Sequence, residues 1–204
     1  LLIFLAAGST VRAETTSAFA VVRLPRGVEL ELPKGWWMLG EDYQRLIQPS
    51  VEAAMDLSGL GLPEGQEINL IAANSMPRST YAAVRIDSGT PPSMSPAAVS
   101  ALSAAELRAI ATETHTNLQK ILPMQGNQLI EFLGVRLDRI SGYPALVTEY
   151  RRTGPKGPVF VQVNIISTPS QDIRVNLSYR ESEVAVWGPV IGKLRKSIVV
   201  RRWP

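Results

Sequence analysis

The chain has 204 residues, 45% of them hydrophobic and 19% charged, with a net charge of +3. This is the make-up of a globular protein, long enough for one sizeable core and short for two independent domains. There is no cysteine, which excludes disulfides, thiolate metal sites, thiol nucleophiles and a lipid-modified cysteine together, although a core of this size needs no disulfide even in an oxidising compartment.

Leu1-Leu2-Ile3-Phe4-Leu5-Ala6-Ala7 is an uncharged apolar run, followed by Gly8-Ser9-Thr10 and Val11-Arg12-Ala13. Small or β-branched residues at the third and last positions before Glu14 fit a signal-peptidase site. Residues 1–13 therefore read as the remnant of a secretory signal, truncated ahead of Leu1; the alternative is a buried N-terminal strand. The run is far below the ~20 residues of a membrane helix, and no other window reaches that length. The expectation is an exported protein whose mature chain, residues 14–204, is one α/β domain without a transmembrane span.

Residues 19–24 and 28–32 are β-prone runs separated by Pro25-Arg26-Gly27, the second alternating Val28, Leu30 and Leu32 against Glu29 and Glu31. Leu32-Pro33-Lys34-Gly35-Trp36-Trp37 ends that strand in a turn. Two adjacent tryptophans cannot face the same side of an extended chain, so one is expected in the core and the other against a loop or solvent. Residues 43–57 suggest a helix, with Pro49 in a first turn and a narrow stripe of Val51, Ala54 and Met55. Gly59, Gly61 and Gly65 follow it, but a phosphate-binding glycine loop needs a strand before and a helix after, the reverse of this order.

Residues 68–73 and 81–86 predict a strand pair joined by the turn-rich Asn74-Ser75-Met76-Pro77-Arg78-Ser79. After a Ser/Pro-rich crossing comes the longest helix. Ser103 and Glu106 stand at capping-box spacing, and Leu107, Ile110, Ala111, Thr114, Leu118 and Ile121 form one stripe ended by Pro123. His115, the only histidine, lies at the margin of that stripe. As a general base it would need a nucleophile and an orienting carboxylate, yet there is no Gly-x-Ser-x-Gly elbow, no second histidine for a metal pair and no calcium-loop acidic spacing. A solvated or structural histidine is the plainer reading.

Residues 126–179 read as a three-strand antiparallel meander. Val159, Val161, Val163 and Ile165 share one face of a strand, as do Ile173, Val175, Leu177 and Tyr179 in the next. Arg174, Asn176, Ser178 and Arg180 take the opposite side of a half-buried sheet. A final helix over residues 183–196, carrying Trp187, Val190, Ile191 and Leu194 inward, is expected to begin near Trp187 because of Gly188-Pro189. Residues 197–200 then form a short strand or a tail.

The Leu-Pro-x-Gly-Trp turn (residues 32–36), the strand pair, the long helix, the Ile-x-Gly-x-Pro-Ala turn (residues 140–145), the meander and the closing helix resemble the PsbP-like superfamily. That superfamily includes photosystem extrinsic subunits, the periplasmic DcrB and a Ran-binding regulator. The resemblance covers about residues 28–200. It implies an antiparallel sheet sandwiched by helices, an α/β/α arrangement, with a binding or assembly role, no catalysis and no cofactor. No functional residue carries over, because the matched positions are turns and core.

Charge supplies the remaining signal. Residues 1–119 hold 8 basic and 12 acidic side chains, residues 120–204 hold 13 and 6. Arg151, Arg152 and Lys156 surround the Gly154-Pro155-Lys156-Gly157 tip, and Arg195, Lys196, Arg201 and Arg202 lie near the end. If they converge, they suit an anionic partner: a membrane surface, a cell-wall polymer or an acidic protein face. A solvated basic surface is the bland alternative. Nucleic acid is disfavoured, since no aromatic stacking array accompanies the charges. Two functions follow: a non-catalytic envelope protein docking through its basic half, or a small-ligand binder or unrecognised hydrolase with a pocket near Trp36, Trp37 and His115.

Overall fold

The computed structural model describes residues 18–38 and 68–202. The expected signal segment, the helix over 43–57 and the glycine loop after it lie outside the described residues. The strands are β1 (Phe19–Arg23), β2 (Val28–Pro33), β3 (Trp37–Met38), β4 (Ile68–Asn74), β5 (Ala82–Gly89), β6 (Leu129–Ile140), β7 (Tyr143–Arg152), β8 (Val159–Ser167), β9 (Asp172–Arg180) and β10 (Val199–Val200). Among the described residues three α-helices accompany them: α1 (Pro96–Ser100), α2 (Ala104–Met124) and α3 (Val184–Lys196). A large antiparallel sheet runs β3-β4-β5-β9-β8-β7-β6, and a small one runs β1-β2-β10.

The meander from β6 to β9 has four strands, not three, because the Ser141-Gly142 turn separates two long strands that pair from Leu129 with Arg152 to Ile140 with Tyr143. Its two apolar stripes face opposite ways. Val161 lies across from Ser178 and Val163 across from Asn176, and antiparallel partners share a face. The valines of β8 therefore look to one side of the sheet, and Ile173, Val175 and Leu177 of β9 to the other.

Each face carries its own core. Ile173, Val175 and Leu177 join Val84 and Ile86 of β5, Val28, Leu30 and Leu32 of β2, and Trp187, Ile191 and Leu194 of α3. The small sheet and α3 thus cover one face. On the other, Leu118 and Leu122 of α2 meet Tyr150, Val161 and Val163. The expected helix-covered antiparallel sheet is present as a mixed α+β fold, with the small sheet as an extra cover.

Local chemistry explains the helix limits. The Ser103 hydroxyl accepts from the Glu106 amide at 3.2 Å and the Glu106 carboxylate accepts from the Ser103 amide at 2.8 Å, the capping box read from the sequence. Helix α3 begins at Val184, earlier than Gly188-Pro189 suggested, with Pro189 inside it. A proline removes one helical hydrogen bond, but Trp187, Ile191 and Leu194 are buried together and hold the helix through it. The polar side of β9 is also not simply solvated. Arg174 is 2% exposed, its guanidinium 3.4 Å from Asp87, and Ser178 is buried as well.

Candidate functional site

The basic side chains of the C-terminal half do not gather in one place. Strand β7 ends at Arg152, and ten residues at about 3.3 Å each separate its two ends by roughly 30 Å. Arg151, Arg152 and Lys156 stand at the end carrying the β7–β8 hairpin. Val200 and Arg201 stand at the other: the Val200 amide donates to Ser141 Oγ at 2.8 Å and the Arg201 amide to the Gly27 carbonyl at 2.9 Å.

At the hairpin end, Arg151 is engaged within the fold. Its Nε donates to Glu181 at 2.5 Å and its Nη1 pairs with Glu131. Glu181 first and then Glu131 hold the guanidinium above its ordinary pKa. Arg152 donates from Nη1 to Asn127 Oδ1 and the Thr153 carbonyl, each at 2.9 Å, and its Nη2 lies 3.5 Å from the Tyr81 hydroxyl. Both read as ties between β7 and its neighbours. Lys156, at the tip, is exposed.

Arg195 is likewise structural. It reaches from α3 to Asn164 Oδ1 at 2.9 Å and Asp138 Oδ2 at 2.6 Å. Arg136 also holds Asp138, at 2.8 Å. The Asp138 carboxyl is lowered to about 2, chiefly by Arg136, against the opposing cost of burial, with the Arg139 amide and Arg195 adding to the effect.

What remains toward the C-terminus is a set of cations in solvent. Lys196, Arg201, Arg202 and Arg139 are all exposed, and the β6–β7 turn, which begins two residues after Arg139, touches β10 through Ser141. Arg201 and Arg23 share one carboxylate, Glu29, at 3.5 and 3.0 Å. Lys156, Lys196 and Arg202 pair with no carboxylate among the described residues.

The three residues of the alternative pocket stand in three separate environments. Trp36 lies in the core under α3, edge-on to Trp187 with ring centres 5.8 Å apart. Trp37 is 42% exposed on β3, with the Arg78 guanidinium 4.6 Å above its ring. His115 lies on the opposite face of the large sheet from Trp36, stacked on Phe132 at 5.1 Å. The pocket near Trp36, Trp37 and His115 is thereby corrected: the side chains do not converge, because α2 and α3 cover different faces. Among the described residues no three His, Asp or Glu side chains stand together as a metal site.

No family model matches this sequence, and no curated protein matches it either. Solved structures do. Cyanobacterial PsbP (CyanoP) from Synechocystis sp. PCC 6803 superposes with a TM-score of 0.56 at 11% identity, over 96% of this chain and 98% of that one. The fold is PsbP-like. LpqN, involved in cell envelope biogenesis of Mycobacterium tuberculosis, follows with a TM-score of 0.50 at 11% identity, over 90% of this chain and 91% of LpqN. At such identity the likeness is one of backbone.

On this PsbP-like frame the acidic partners went unread in the sequence. Glu131 and Glu181 are distant in the chain from Arg151, and Asp138 from Arg195; the register of β6 on β7 sets Glu131 across from Arg151, and the return of β9 and α3 over the sheet brings the other pairs close. A period-2 pattern gives the face of a side chain and leaves open its neighbour on the next strand.

Proposed function

We propose that this chain is a non-catalytic, extracytoplasmic protein that docks on an anionic partner of the bacterial cell envelope through its basic C-terminal half. The observation that carries this reading is the exposure of Arg139, Lys196, Arg201 and Arg202 at the end of the fold where the β6–β7 turn meets β10, with Glu29 3.5 Å from Arg201. Four cations at one end of a protein steer and hold a negatively charged surface, whether an acidic protein face, a membrane or a wall polymer. Lys156, with Arg151 and Arg152 behind it, offers a second, weaker contact at the far end.

Export is supported by the apolar run at residues 1–7 and its peptidase-like sequel, and by the shared fold with a cell-envelope protein. No helix among the described residues is long and apolar enough to cross a membrane. The separation of Trp36, Trp37 and His115 removes the motive for a hydrolase at that place.

The test is crosslinking of tagged protein to the native cell envelope beside a Lys196→Glu/Arg201→Glu/Arg202→Glu variant that keeps its circular dichroism and melting temperature. The expected result is a stoichiometric crosslink lost in the variant. Equal capture by both proteins would refute docking at this end, and loss only in Arg151→Glu/Arg152→Glu would move it to the hairpin.

A further inference from the structure

The face of β6, β7 and β8 that looks away from α2 is covered beside β9 by α3 and lies half open beyond it. Across it run Glu131 and Arg151, then Phe160 and Tyr179, in register on four neighbouring strands. The two rings lean on each other with centres 5.2 Å apart and planes tilted by 37°. Both are half-buried, as are Gln162 and Glu149 in the next row. That row ends at Gly134, paired with Glu149 after a bulge in β6. Its φ is +121° and a Cβ there would meet nothing within 4 Å, so the row ends in open space at the sheet edge.

The polar groups around the rings are all planar. Glu149 accepts from Gln162 Nε2 at 2.5 Å and from Arg136 at 3.2 Å, while Arg151 is fixed between Glu131 and Glu181. They are preoriented by these bonds, and each carboxylate keeps lone pairs on its open side. The charges come close to cancelling: Arg136, Arg151 and Arg195 stand against Glu131, Asp138, Glu149 and Glu181. An anion finds no excess of positive charge here, in contrast to the cationic end.

We propose that this face binds a neutral oligosaccharide. A pyranose presents an apolar face of C–H groups that stacks on an aromatic ring, and rim hydroxyls that donate to carboxylates and accept from amide N–H and guanidinium groups. It carries no charge for a balanced surface to oppose. Phe160 and Tyr179 supply the stacking floor, Gln162, Glu149 and Arg151 the polar rim, and the open space beside Gly134 leaves room for a ring substituent. The face lies apart from the cationic end, so the inference stands whether or not docking occurs there.

The experiment is amide-shift mapping of the full chain titrated with chitohexaose, cellohexaose and maltohexaose to about 10 mM, the range in which weak glycan sites saturate. At least one sugar should shift the amides of Gly134, Glu149, Phe160 and Gln162, independently of salt. Phe160→Ala should weaken that binding by about tenfold or more. Glu149→Gln, which keeps size and planarity, guards against a folding artefact and should weaken it as well. Lys196→Glu/Arg201→Glu/Arg202→Glu should leave it unchanged. Failure of all three sugars to shift these amides, or shifts that persist in both site variants, would overturn the proposal and leave a solvated ion-pair face.

Discussion

The Trp187 indole Nε1 donates to Glu183 Oε2 at 3.1 Å, and the same oxygen accepts the Tyr81 amide at 2.8 Å. One carboxylate just ahead of α3 thereby joins the helix to the start of β5, and Arg180 pairs with its other oxygen. Glu183→Ala leaves two donors and a guanidinium without their acceptor. Loss of a charged acceptor in such a place costs about 2–3 kcal/mol. Urea unfolding should show that loss with a red shift of Trp187 fluorescence, and Glu183→Gln should recover part of it. An unchanged midpoint for Glu183→Ala would contradict the clamp.

Asp138 makes stability sensitive to acid. Its folded value of about 2 lies below the ordinary carboxylate value near 3.8, so its contribution is complete above pH ~4 and is lost as pH falls through about 2. The side chain is one-third exposed, and solvent screening reduces the effect to about 1 kcal/mol. Melting temperatures followed as the pH falls from about 5 to about 2 should drop less steeply in Asp138→Asn than in the parent.

Gly27 has φ +74°, and a Cβ there would stand 2.9 Å from the Arg201 carbonyl oxygen. Backbone at that position has little room to yield, because the Arg201 amide is bonded to the Gly27 carbonyl. Gly27→Ala should therefore destabilise by about 1–3 kcal/mol. Hydrogen exchange should speed selectively at Arg201, with the meander unaffected.

The two cores differ in how fully they are sealed. Leu194, at 0% exposure, sits between both sheets, whereas Leu118, at 4%, packs α2 on the other face. Leu194→Ala should cost toward the upper end of the usual ~2–5 kcal/mol, and Leu118→Ala toward the lower. Equal midpoints in chemical denaturation would show that the faces are equally packed.

Alternation and capping made much of the fold legible. Val28, Leu30 and Leu32 are buried as the pattern of that strand demands, Ser103 and Glu106 form their box, and one tryptophan of the pair is buried while the other is exposed. The division of the sheet's two faces between separate cores was not legible. Val161 and Leu177 look equally inward in the sequence, and only the pairing of β8 on β9 sends them opposite ways. The basic patch shared that limit: Arg151 and Lys196 belong to one charge-rich half of the chain, yet β7 holds their surroundings at opposite ends. Arg174 shows the reverse error, a residue placed by its polarity on a solvated face and found buried beside Asp87.

Docking through the cationic end is tested most directly by retention on native envelope membranes as salt is raised, for the parent and for Lys196→Glu/Arg201→Glu/Arg202→Glu. The account predicts retention of the parent that falls steadily with salt, as expected for exposed charges, and no retention of the variant at any salt. Retention of the variant equal to that of the parent would contradict it.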